Sequence, residues 1–160
     1  MDKKSFILYV ESNQRALRRY LIALCHGDTA YADDLAQETY IKAYLAADTF
    51  KDEAKFTAWI YKIAYNNFLN SRKRQRYAER LDEVADMPGG SSADFSFSYQ
   101  SLYAALEQLS ERAKNIVLLH YLQGYTSKEI AEIMELNEDN VRQILTRARK
   151  DLKLFLSDYK

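Results

Sequence analysis

A single cysteine, Cys25, leaves no partner for an internal disulfide, and with only two histidines there is no Cys/His set at zinc spacing. Cys25 and His26 are adjacent and would point to different sides of a helix, and His120 stands alone in an apolar stretch, so all three read as structural. One proline and four glycines in 160 residues leave few places where a helix must stop. β-branched residues are sparse beside Ala, Leu, Lys, Glu and Arg, whose side chains lose little freedom on a helix, so the fold class expected is all-α. Long apolar runs are missing too. The opening MDKKSFILYVESNQ has a basic start but too short an apolar stretch for a signal peptide or a membrane span. That points to a cytoplasmic protein with no direct membrane insertion. No Ser/His/Asp set, metal cluster or Gly-rich phosphate loop stands out, which makes enzyme the weakest function class and leaves no cofactor to expect.

The chain also lacks net charge, with 23 basic and 23 acidic residues. The balance hides segregation. Arg72, Lys73, Arg74, Arg76 and Arg80 form one basic block, and Arg142, Arg147, Arg149, Lys150 and Lys153 form another, while Asp33, Asp34, Glu38 and the stretch Asp82 to Asp86 are acidic. Local fields act over roughly 10 Å at ordinary salt, so each basic block can attract phosphates although the zero sum predicts weak non-specific DNA binding by the isolated chain.

Helical periodicity breaks once, in DEVADMPGGSSADFSFSYQ, which holds the only proline, two of the glycines and a serine cluster. The expected organisation is therefore two small helical domains, 1–81 and 101–160, joined by a flexible linker at 82–100. Phe95, Phe97 and Tyr99 alternate with small polar residues there and could dock as an extended segment, pinning the domains into a compact autoinhibited form. In the first domain a helix is expected from about Ser5 to Cys25, with a break near Ser12 and Asn13 and a stop at Gly27. A second helix, from about Tyr31 to Ala47, carries Ala32, Leu35, Ala36, Thr39, Tyr40, Ala43 and Tyr44 on one face. A third runs from about Phe56 into the basic block, with Phe56, Ile60, Ile63, Ala64 and Phe68 as its buried stripe.

The second domain is punctuated more sharply and reads as a four-helix domain. Ser110 begins a helix that Gly124 ends, and Thr126-Ser127-Lys128-Glu129 fits a capping box. The short helix it opens ends near Glu135, and Asn137 caps the next, with Glu138 and Asp139 in its favourable first turn. Two short helices joined by a tight turn make a helix-turn-helix. On the second of them Val141, Ile144, Leu145 and Ala148 face inward, while Arg142, Gln143, Thr146 and Arg147 share the outward side. Arginine pairs with guanine, glutamine with adenine, and threonine meets a base or a thymine methyl, each good pair giving about 1–3 kcal/mol of discrimination. Lys150 and Lys153 suit phosphates. The plainer alternative is a solvated basic face on a helical hairpin.

On the third helix of the first domain, Trp59, Lys62, Asn66, Asn70 and Lys73 recur away from the core stripe. Rings and amides beside a cationic block suit single-stranded DNA, where each stacked base is worth about 1–3 kcal/mol. Trp59 could equally close the core, since large aromatics bury much area. Asn66 gains nothing from a helix interior by propensity.

In this order, DDLAQETYIKAY (33–44), FTAWIYKIAYNNFLNSRKRQ (56–75) and LSERAKNIVLLHYLQGYTSKEIAEIMELNEDNVRQILTRARKDL (109–152) resemble the extracytoplasmic-function sigma factors of the sigma-70 family. The resemblance implies a chain that binds core RNA polymerase and promoter DNA and directs transcription initiation. Asp34, Leu35, Gln37, Glu38 and Ile41 would grip the polymerase. Residues 48–55, with Lys51 and Lys55, would form the loop that holds a base flipped from the −10 element. Trp59, Lys62, Asn66, Asn70, Arg72, Lys73 and Arg74 would complete that −10 surface. Arg142, Gln143, Thr146 and Arg147 would read the −35 major groove, with Ser127, Asn140 and Lys150 as further DNA-binding residues there. An anti-sigma factor is the implied regulator. Four positions depart from the family pattern: Ile144 replaces a frequent basic residue, Asp139-Asn140 a common Gly-Thr pair, and Glu135 a frequent glycine, at a cost of roughly 1–2 kcal/mol if left-handed. A stand-alone helix-turn-helix regulator would leave the first domain without a task, and a structural adaptor would not need two cationic helices.

Overall fold

Asp2 accepts the Ser5 amide at 2.8 Å and Asp28 accepts the Tyr31 amide at 3.0 Å, so two carboxylates start α1 (Lys3–Leu24) and α2 (Thr29–Ala46). These helices belong to a computed structural model that describes residues 1–52, 55–81 and 97–157. A short 3₁₀ turn (Ala47–Thr49) follows α2 and leads toward α3 (Phe56–Leu81). The second domain is α4 (Phe97–Glu107), α5 (Glu111–Val117), a wide π turn (Leu118–Leu122), α6 (Ser127–Met134) and α7 (Glu138–Ser157). Among the described residues every regular element is helical, as the composition requires.

Local physics corrects several expectations. α1 does not break at Ser12 and Asn13, because both side chains turn back onto the carbonyl of Tyr9, at 3.0 and 2.8 Å, and are satisfied within the helix. Its stop lies one residue before Gly27. His26 takes the left-handed conformation (φ 57°), and the Gly27 amide reaches back to the Ile22 carbonyl at 2.8 Å. The linker expected at 82–100 is shorter, since α4 begins at Phe97. The proposed pinning by Phe95, Phe97 and Tyr99 lies outside the described residues and side chains. Ile63, placed in the buried stripe of α3, is only partly buried. Tyr61, Asn67 and Ser71 are buried instead.

Those three show that α3 is covered on more than one side. Asn67 donates to Thr39 Oγ1 at 3.2 Å and accepts from Lys42, both on α2. Ser71 meets the Tyr31 hydroxyl at 2.6 Å. Tyr61 points the other way, into the second domain, where its hydroxyl donates to Gln123 at 2.6 Å and its ring meets Tyr125 edge-on. The two domains thus share one continuous core rather than standing apart.

Buried polar groups cross the contact between them. Tyr20, fully buried, donates to Asn115, which is itself fully buried, and Gln123 donates to the Ala16 carbonyl at 3.1 Å. Lys114, 2 % exposed, places its ammonium 2.8 Å from the Leu24 carbonyl and 2.8 Å from Glu107, over the ring of Phe68. The π turn positions Gln123: its amide bonds to Leu118 five residues back, and Gly124 (φ 77°) reverses the chain beyond it. His120 Nδ1 donates to the Tyr125 carbonyl at 2.8 Å, in keeping with a structural role.

Gly124 faces open space where a Cβ would lie, so only its backbone angle resists substitution. Gly124→Ala is expected to lower stability by about 1–2 kcal/mol, with Gly124→Asn losing less, as read by urea denaturation. Burial pushes the Cys25 thiol up to about 12, so almost no thiolate exists at pH 8 in the folded chain. Alkylation there should be more than about 100-fold slower than in the urea-unfolded chain, where the thiol regains its ordinary value. Equal rates would contradict the burial.

Candidate nucleic-acid interface

The capping box at the start of α6 is complete: Thr126 accepts the Glu129 amide at 3.2 Å, and Glu129 accepts the Thr126 amide at 3.1 Å. Glu135 (φ 56°) makes the left-handed turn, and the Leu136 amide closes onto the Ala131 carbonyl at 2.9 Å. Asn137 then accepts the Asp139 amide at 2.8 Å and starts α7. Val141, Leu145 and Ala148 are buried, and Ile144 is partly so, which fixes the rotation of the helix. Arg142, Gln143, Thr146, Arg147 and Lys150 consequently line one open surface. Arg142 is held by Glu138 at 2.6 Å and Asp139 at 3.4 Å, so reading a base would require it to exchange those carboxylates. Thr146 donates to the Arg142 carbonyl at 2.9 Å, leaving its methyl and lone pairs outward. Asn140 is exposed at the edge of this surface, beside Gln143 and Arg147, and Ser127 is half-buried at the start of α6. Farther along α7, Arg149 is taken up by the Tyr121 hydroxyl.

The face of α3 is occupied differently. Trp59 stacks flat on Phe50, with ring centres 4.4 Å apart and an interplanar angle of 6°, and meets Phe56 edge-on. It is half-buried: one side packs against the core and the other lines a crevice with Lys55, Ala58 and Lys62. The far wall of that crevice is Glu132 and Ile133 of α6. A second crevice of roughly 230 Å³ holds Lys62, Tyr65, Asn66 and Leu69 of α3 against Arg112, Met134, Glu135 and Leu136. Asn66 and Asn70 are exposed, as are Lys51, Lys73 and Arg74. Lys62 pairs with Glu135 and holds that carboxyl below its usual range. Lys55 lies 3.9 Å from Glu132, and Arg72 and Arg76 both reach Glu111, at 3.3 and 3.2 Å.

On α2, Asp34, Gln37 and Ile41 are exposed, with Ile41 at 59 %, and Glu38 is partly exposed, 3.9 Å from Arg74. Leu35 is the exception: at 2 % exposure it packs α2 into the core and is not part of the exposed face. Leu45 extends the apolar part of this face beyond the residues the sequence singled out, and Tyr44, expected on the inward face of α2, is exposed as well. Their signal was an excess of apolar positions on α2 over what one buried stripe uses. Among the described residues no group of His, Cys, Asp or Glu converges as a metal site, and no helix is long and apolar enough to cross a membrane.

Comparison with known proteins agrees with this geometry. Residues 9–77 match the family described as Sigma-70 region 2, and residues 99–152 match Sigma-70, region 4. The extracytoplasmic-function (ECF) RNA polymerase sigma-E factor of Salmonella typhimurium is 30 % identical over 168 residues, covering 93 % of this chain and 85 % of the relative. RNA polymerase sigma-H factor of Pseudomonas aeruginosa is 27 % identical over 164 residues, covering 93 % and 84 %. Among solved structures, the sigma factor RpoE of Bartonella quintana, in complex with the anti-sigma factor NepR, superposes with a TM-score of 0.80 at 28 % identity, covering 96 % of this chain and 98 % of that one. The fold is shared as well with CnrH, solved with the cytosolic domain of CnrY, at a TM-score of 0.75 and 23 % identity, covering 99 % and 92 %. Region 2 and region 4 stand in one chain, which excludes a stand-alone helix-turn-helix regulator. The protein belongs to the extracytoplasmic-function sigma factors of the sigma-70 family and directs transcription initiation as an alternative sigma factor.

Proposed function

We propose that promoter recognition is divided between the two faces described above, with α7 reading the −35 element and α3 capturing the −10 strand. The observation that carries the first half is the single open surface of Arg142, Gln143, Thr146, Arg147 and Lys150, on a helix whose rotation is set by Val141, Leu145 and Ala148. Arg142 and Gln143 contact bases, Thr146 a base or a thymine methyl, and Arg147 and Lys150 the backbone, with Ser127 and Asn140 at the edges. On α3, Trp59 offers the stacking ring, Asn66 and Asn70 the amides, and Lys62, Arg72, Lys73 and Arg74 the charge that offsets the few kcal/mol of unpairing. Lys51 and Lys55 flank the loop that receives a flipped base. Asp34, Gln37, Glu38 and Ile41 form the polymerase-binding surface, with Leu35 supporting it from within.

The chemistry is binding without bond-making: the chain positions polymerase and stabilises a melted strand, and carries out no catalysis of its own. We assign residues 1–81 to the polymerase-binding and −10 domain, and 101–160 to the −35 domain. A cytoplasmic location follows from that role. An anti-sigma factor is the partner expected to regulate it, since the RpoE structure that resembles this chain was solved with one.

Reconstitution with bacterial core polymerase tests the assignment. Asp34→Lys/Glu38→Lys should abolish the stable complex and all promoter-specific transcripts, because it places cations where the polymerase contact needs carboxylates. Retained binding would remove α2 from that role. Arg142→Ala should cost about 1–3 kcal/mol at one −35 base pair and relax specificity there, while Lys150→Ala weakens all sequences alike. Trp59→Ala should cost about 1–3 kcal/mol in capture of the −10 strand by the polymerase complex. A promoter-binding assay across −35 variants separates these outcomes.

A further inference from the structure

Arg142, Gln143, Thr146, Arg147 and Lys150 line the open surface of α7, and they follow Asp139 by three, four, seven, eight and eleven residues. That spacing keeps to one side of a helix, so Asp139 is the N-terminal member of the same stripe, one turn ahead of Arg142. Val141, Leu145 and Ala148 bury the opposite side. The cap fixes the position of Asp139, because its amide donates to Asn137 Oδ1 at 2.8 Å. Its side chain is 81 % exposed. Glu138 lies off the stripe, and its side chain is 39 % exposed. Both carboxylates hold Arg142, whose Nη2 donates to Glu138 at 2.6 Å and whose Nη1 donates to Asp139 at 3.4 Å. The first turn of a groove-reading helix comes nearest to the base edges, so the row of reading residues on α7 begins with a carboxylate.

We propose that Asp139 is a specificity-determining residue of the −35 site, selecting a cytosine in the base pair beside the guanine taken by Arg142. This rests on the assignment of α7 made above. An ionised carboxylate offers only acceptors, and the donors in the major groove are the amino groups of cytosine and adenine. Guanine and thymine oppose it with acceptors of their own. Adenine sets N7 beside its amino group, against the second carboxylate oxygen, whereas the cytosine amino group has only a C–H edge next to it. The phosphates repel Asp139 at every sequence, so it acts mainly by exclusion: a site without the amino donor leaves the carboxylate unpaired among acceptors. Arg142 offsets part of that repulsion and sets the spacing. Three residues of helix advance about 4.5 Å, close to the ~3.4 Å between base pairs, so guanidinium and carboxylate meet neighbouring pairs. When the guanidinium turns to guanine O6 and N7, Asp139 is released toward the next pair. Glu138, off the stripe, holds Arg142 and reads no base.

The test reconstitutes the full chain with bacterial core polymerase and offers the complex a pool of duplex promoters randomised over the −35 region. Sequencing the bound fraction gives the base preference at each position for the wild type, Asp139→Ala, Asp139→Asn and Arg142→Ala. Circular dichroism verifies that each variant folds. The wild type should select a guanine and a cytosine in adjacent base pairs, and Arg142→Ala should relax the guanine. Asp139→Ala should lower the preference for the neighbouring cytosine by about tenfold and leave the guanine selected. Asp139→Asn should move that position from cytosine to adenine, whose N6 and N7 match an amide. A residue that merely stabilised the helix would not move a base preference. A wild type that selects no such cytosine, or an Asp139→Ala that changes binding to all sequences by one factor, would overturn the proposal. The two readings fail separately. If Arg142→Ala leaves the preference at every position unchanged, the α7 assignment falls and this inference with it. If Arg142→Ala relaxes a position while Asp139→Ala and Asp139→Asn alter none, only the role of Asp139 falls.

Discussion

Burying the ammonium of Lys114 would cost several kcal/mol if it were left unpaired, and the way that cost is offset ties the two halves of the chain together. One partner, Glu107, comes from its own domain, but the other is the Leu24 carbonyl at the C-terminal end of α1, where the helix dipole favours a cation. The ring of Phe68 on α3 lies beneath it. Neither domain alone completes this set. Asn115, the next residue, has the same dependence: its side-chain oxygen accepts from Tyr20 of α1, and its amide approaches the sulfur of Met134. Buried polar groups of this kind specify a docking position more sharply than apolar contact does, because a shifted register would leave them unsatisfied.

From that anchor the fates of the two DNA faces diverge. α5 is pinned to the end of α1, so the π turn comes to rest on α1 and α6 falls against α3. The helix-turn-helix is therefore carried by a domain whose inner side is committed to the first domain and whose outer side, on α7, is not. The apolar residues of α7 turn inward, and Arg142, Gln143, Thr146, Arg147 and Lys150 line an open surface whatever α3 does. The α3 surface has no such independence, since the same side chains that suit a DNA strand also suit the carboxylates of α6 and the start of α5. In this overall neutral chain, cations of the first region are met by carboxylates of the second.

Much of the fold was legible because its signals are local. Capping at Ser110, Thr126 and Asn137 depends on side chains that bond amides two or three residues away, and each was read correctly from spacing alone. The inward stripe of α7 was equally clear, since a strongly amphipathic helix on one core needs only its 3.6-residue period. The misreadings share a different cause. Ser12 and Asn13 look like breakers in sequence, but a polar side chain can satisfy itself on the carbonyl a turn earlier without ending the helix. Tyr61 and Asn67 were missed as buried residues because α3 is covered from two sides, by α2 and by the second domain, and a single-stripe pattern cannot express that.

Sequence alone determined the helical class, the ends of most elements and the two regions, because propensity, capping and periodicity act within a few residues. It also carried enough pattern to identify the family. Which helical face stands open and which is met by the other domain was decided only in three dimensions. Leu35 turned from a candidate contact into a core residue, Trp59 came to stack on Phe50 at the edge of the core, and Lys114, unremarked in a helix of mixed composition, became the link between the two halves. The physical reason is the same throughout: pairing a charge or burying a ring depends on a partner from a distant part of the chain, and no window along the sequence contains both.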